Sequence, residues 1–124
     1  AMRGDEDGGQ QIRDYAAGSG TPTLNLTAST AAQFAFSVHS SSSADTAAPF
    51  WTDNSTCSSG TGSAAGKCWK LPGTTPIEVV DKTSASPTGA TSTLFFKVHV
   101  PSGATPTPTA QTYTATATLS VVAQ

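Results

Sequence analysis

The sequence predicts an all-β fold: an antiparallel β-sandwich, Ig-like or jelly roll, of about six to eight strands with an extended N-terminal arm. Three observations carry that prediction. Ser and Thr occupy 16 and 21 of the 124 positions, whereas Lys and Arg supply 6 and Asp and Glu 8. Good helix formers are therefore scarce, and Thr, Ser, Gly and Pro disfavour a helix interior. The apolar residues, 36% of the chain, are largely β-branched or aromatic and recur at every second position, the period of a half-buried strand. Clusters of Gly, Pro and Ser separate these runs where turns belong. The same patterning argues against disorder, which the low apolar content alone would allow.

In chain order, residues 1–20 read as an N-terminal extension, rich in Gly and carrying the acidic run Asp5-Glu6-Asp7. Residues 21–124 read as one domain, since a 12.5 kDa chain suits a single core. Leu24 and Leu26 make a short strand that Pro22 restricts to an edge or a strand start. Phe34, Phe36 and Val38 alternate in a longer one, closed by the serines 40–43. Cys68-Trp69-Lys70-Leu71 and the run Ile77, Val79, Val80 suggest two more. From Thr91 to Val100, Leu94, Phe96, Val98 and Val100 share one face, with Phe95, Lys97 and His99 on the other. The clearest alternation is the last: Tyr113, Ala115, Ala117, Leu119, Val121 and Ala123 interleave with Thr112, Thr114, Thr116, Thr118 and Ser120. Thr suits the outer face of such a strand because its branched Cβ fits the pleat and its hydroxyl hydrates without charge.

Charge and length exclude several functions. A net charge of −2 with both signs scattered gives no nucleic-acid footprint and no polybasic anchor. No apolar run approaches the ~18–20 residues of a membrane span, so membrane insertion of this chain is not expected. Cys57 and Cys68 enclose a loop of Gly, Ser, Thr and Ala with one Lys, which has no core of its own. A disulfide is the expected use of the pair, pointing to an oxidising, extracellular location. Its closure contributes about 2–3 kcal/mol by chain entropy.

Catalysis finds no support. The Ser residues lack a Gly-x-Ser-x-Gly elbow, and neither His39 nor His99 has a local signature tying it to an acid. The two His with a carboxylate could form a metal site, or they could be ordinary strand residues facing solvent. Asp45, Asp53, Glu78 and Asp81 include no obvious acid pair. The protein is thus not expected to be an enzyme, and no cofactor is expected beyond Ca²⁺ at Asp5, Glu6 and Asp7, whose alternative is a solvated acidic tail. Trp51 and Trp69 flank the cysteine loop and offer either a sugar platform or a small cluster packed on the bridge. Asn25 and Asn54 each begin an Asn-x-Thr sequon and are candidate glycan attachment points.

The ending Gln111-Thr112-Tyr113-Thr114-Ala115-Thr116-Ala117-Thr118-Leu119-Ser120-Val121-Val122 resembles the terminal Tyr-Thr-x-Thr-x-Thr strand of secreted prokaryotic β-sandwich surface and fibre subunits. These include spore-coat-U-like and other donor-strand pilus proteins, TasA-like matrix fibres and archaeal threads. The resemblance implies a cell-surface subunit whose sheet is completed by a neighbour. On that reading the chain is an extracellular structural protein whose partner is itself, polymerising by insertion of an N-terminal strand with Leu24 and Leu26 as the inserted side chains. A carbohydrate-binding or adhesion module and the soluble head of a pilin or virion surface protein are the alternatives.

Overall fold

A computed structural model describes residues 2–4, 11–14, 21–26, 30–40, 45–82 and 91–122. The described residues are mostly strand with almost no helix: β1 (Met2–Gly4), β2 (Gln11–Asp14), β3 (Gln33–Ser40), β4 (Ser92–His99) and β5 (Tyr113–Thr114), with a turn of 3-10 helix at Ala48–Phe50. They form one sheet in the order β4-β3-β2-β1-β5. Pairing is antiparallel except between β2 and β3, where Arg13 and Asp14 lie parallel to Gln33 and Phe34. β1 and β2 both come from the segment that the sequence sets apart as an extension.

β3 is the structural centre because it is covered on both faces. Its even face carries Phe36 and Val38, which join Ala47, Phe50 and Cys68 in a buried cluster flanked by Ile77, Val79 and Leu94. On its odd face, Ala35 packs with Leu26 and Trp69, beside Leu71 and Phe95. Phe34 belongs to a third cluster with Ile12 and Ala32. Burying a large apolar side chain contributes about 1.5–3 kcal/mol, and each of the three clusters draws on this one strand. Both of its edges are paired as well. β4 runs antiparallel along the whole length from Gln33↔His99 to Ser40↔Ser92, and on the other side Phe36 exchanges backbone hydrogen bonds with Lys70 at 2.8 and 3.0 Å.

The excursion between β3 and β4 is held down by single rungs and turns. Thr46 bridges Val80, Trp51 bridges Ser63, and Thr52 bridges Cys57. Asp45, buried, pairs with the ammonium of Lys82 at 2.5 Å. Trp69 bonds Thr23 on one side while Lys70 bonds Phe36 on the other, so this short piece lies between β3 and the chain at residue 23.

Several expectations need correction. The predicted strands around Leu24 and Leu26, Cys68–Leu71 and Ile77–Val80 are reduced to isolated rungs at Thr23, Trp69, Lys70 and Val80, because each run meets a neighbouring backbone over only one or two residues before the chain bends or diverges. The long C-terminal strand pairs only at Tyr113 and Thr114, against β1. Residues 115–122 then continue with no turn, bend or partner strand among the described residues. Alternation gives a segment one apolar face, but a strand also needs a neighbour of matching length, and β1 ends after three residues.

Candidate functional site

β4 is the outermost strand of the sheet, so half of its backbone N–H and C=O groups point away from β3. The register places Leu94, Phe96 and Val98 opposite Val38, Phe36 and Phe34, on the face that the sequence assigns them. Cover is uneven along that face. The Leu94 end lies under the main cluster, whereas Phe96, Val98 and Val100 are 52%, 39% and 54% exposed. Phe96 stacks on buried Phe34 with ring centroids 5.9 Å apart, which fixes its position and leaves its outer side bare. On the opposite face the ammonium of Lys97 stands 5.5 Å from the ring centroid of Trp69. Lys97 is the only permanently charged side chain on β4, and edge strands exposed to water commonly carry more charge than this.

The cysteine loop is a second built feature. Cys57 and Cys68 form a disulfide, with Cα atoms 5.6 Å apart, and Cys68 is fully buried in the main cluster. The Ser63 hydroxyl ties the loop to β3: it lies 3.3 Å from His39 Nδ1, accepts the Ser40 N–H at 3.2 Å, and shares a hydrogen bond with Thr46 at 3.0 Å. The Ser37 hydroxyl donates to the Lys67 carbonyl. Gly60 passes so close to Thr52 that a Cβ would meet its carbonyl carbon and oxygen at 3.0 Å, with φ at +81°. At the outer tip, Asp53 Oδ1 accepts from the Ser55 hydroxyl at 2.6 Å and from the Ser55 and Thr56 N–H groups. The Ser55 hydroxyl first, then the two backbone donors, hold this exposed carboxyl well below the usual carboxylate range. Ser63 and the Asp45–Lys82 pair carry no sequence signal, since a lone Ser in a Ser-rich loop and a charge pair 37 positions apart look like background.

Other predicted residues fall as follows. Trp69 is buried, with its ring under Lys97 and its N–H donating to the Gly66 carbonyl at 3.1 Å. Trp51 is half-buried and its N–H donates to the Thr46 carbonyl. The two indoles therefore do not form the open platform a sugar would need, because Trp69 is packed against Leu26 and Ala35. Leu26 in that cluster serves its own chain's core, and Leu24 beside it is half-buried. His39 sits opposite Thr93 and His99 opposite Gln33, which separates them by roughly 20 Å along the ladder at ~3.3 Å per residue and removes them as a joint metal site. Asn25 and Asn54 are both exposed; Asn54 takes a left-handed φ of 72° in the turn, and the Asn25 side-chain Oδ1 accepts from Lys67 Nζ at 3.5 Å. Asp5, Glu6 and Asp7 lie outside the described residues. Among the described residues no three His, Cys, Asp or Glu side chains come together as metal ligands, and no helix is long and apolar enough to cross a membrane.

Compared with known proteins, the chain matches no family model, no curated protein and no solved structure. The site has to be read from its own geometry. Its two distinctive features are a stapled loop packed on β3 and an apolar face left open beside a sheet edge that no strand pairs among the described residues.

Proposed function

We propose that the chain is a non-enzymatic extracellular structural subunit that polymerises with copies of itself into a filament or surface layer. The observation that carries the reading is the β4 edge, where Phe96, Val98 and Val100 lie exposed beside outward-pointing backbone groups. Such an edge templates strand addition, because an incoming strand satisfies the hydrogen bonds and covers the side chains in one step. The composition suits that role. Few charges guard the edge, and Thr-lined surfaces hydrate without ionic repulsion between copies. The disulfide fits an oxidising exterior. Behind the edge we read a β-sandwich in which the excursion 45–82 forms the second layer over β3.

The test is assembly of the purified chain over a concentration series, followed by sedimentation and negative-stain imaging. Regular polymers support the proposal, and a chain that stays monomeric throughout overturns it. The second reading, a carbohydrate-binding module, draws on half-buried Trp51 beside the loop. Sugar-dependent quenching of Trp51 emission without any polymer would select it.

A further inference from the structure

The same molecule leaves a second apolar segment in water. Leu119, Val121 and Val122 are 69%, 98% and 83% exposed, on a segment that continues past β5 without pairing among the described residues. Leaving one side chain of this kind in water forgoes about 1.5–3 kcal/mol of burial. We infer that residues 115–122 of one copy add as a strand to the β4 edge of the next. This rests on the structural-subunit reading and names the two surfaces that would join.

Four features match the partners. Residues 115–122 number eight, as many as β4, so each spans about 26 Å when extended. Side-chain period matches: with Leu119 and Val121 turned toward Phe96, Val98 and Val100, the hydroxyls of Thr116, Thr118 and Ser120 fall on the face of Lys97. The segment carries no charge, so nothing in it repels Lys97 or is costly to bury. Finally, β5, where the segment begins, lies at the opposite edge of the sheet from β4, with β1, β2 and β3 between. Four strand spacings separate the edges by roughly 19 Å, so the segment leaves from the side away from its own β4.

That last point sets the symmetry. Donor and acceptor occupy opposite edges of one sheet, so the contact is heterologous, and repeating it propagates a filament instead of closing a dimer. On this inference the segment 115–122 takes the inserting role in place of the N-terminal strand with Leu24 and Leu26.

The experiment compares the full chain with three variants in the same concentration series: one ending at Thr114, one carrying Leu119→Asp with Val121→Asp, and one carrying Val98→Asp with Val100→Asp. Each variant is expected to raise the concentration needed for assembly by roughly tenfold or more. Mixing the chain that ends at Thr114, which keeps its β4 edge, with the Val98→Asp, Val100→Asp chain, which keeps its tail, is expected to give one-to-one pairs that grow no further. Retained circular dichroism in each variant identifies loss of assembly as loss of contact and not of fold. Normal assembly of the chain ending at Thr114, or a mixture that stays wholly monomeric, overturns the strand assignment. If the full chain assembles in either case, the structural-subunit reading stands and only the joining strand is wrong. A full chain that never assembles overturns both.

Discussion

β3 and the segment 115–122 share one pattern, apolar residues at alternate positions within a run of eight, yet their environments are opposite. Val38 and Ala35 on β3 have no exposed surface, whereas Val121 is almost wholly in water. The difference lies in what surrounds each segment. β3 has a strand along one edge, rungs along the other, and clusters above and below. Residues 115–122 have none of these among the described residues. Alternation thus specifies which face a segment can bury, and the rest of the chain decides whether anything is there to bury it.

The sharpest way to break this comparison is to truncate one side chain in each region and measure stability of the monomer by urea unfolding. Phe36→Ala removes a ring that packs on Phe50 with centroids 5.6 Å apart and should cost about 3–5 kcal/mol. Leu119→Ala should change stability by no more than about 0.5 kcal/mol, as at an exposed site. Equal losses would mean that the tail packs on its own subunit after all.

A smaller effect should follow from opening the staple. Replacing both cysteines, Cys57→Ala with Cys68→Ala, should cost about 2–3 kcal/mol and should lower amide-exchange protection along β3, to which Ser63 and Lys67 are bonded. Exchange in residues 115–122 should not change. A loss of protection confined to the loop would show that the loop merely rests on β3.

The smallest effect is expected at Asp53, which is exposed. Its folded carboxyl titrates lower than in the unfolded chain, so it adds stability above the ordinary carboxylate pKa of about 4, and that contribution fades as pH falls toward the folded value. Asp53→Asn should therefore lower the urea midpoint slightly near neutral pH, with the gap to wild type closing in strong acid. A gap independent of pH would assign the effect to turn geometry and not to charge.

β3 and β4 were legible in the sequence because each carries its own alternation and each is the other's partner. The Cys57–Cys68 bridge was legible too, since a coreless loop between the only two cysteines has little other use for them. β1 and β2 were not: Met2-Arg3-Gly4 and Gln11-Ile12-Arg13-Asp14 hold one apolar residue in each short run, and no period can be read from that. The open edge of β4 was hidden for a different reason. Whether Phe96 and Val98 are covered depends on how far the excursion 45–82 reaches along β3, a matter of tertiary packing that local pattern does not record. Trp69 shows the same limit, since its neighbours Leu26 and Ala35 come from distant parts of the chain.

The placement of Lys97 over the Trp69 ring makes the proposed joining strand optically visible. An indole facing the one permanent cation of β4 responds to the water around the ammonium, so a strand arriving at the β4 edge would change the colour of Trp69 emission. The subunit would carry its own dye, and the growth of its polymers could be followed in unlabelled protein.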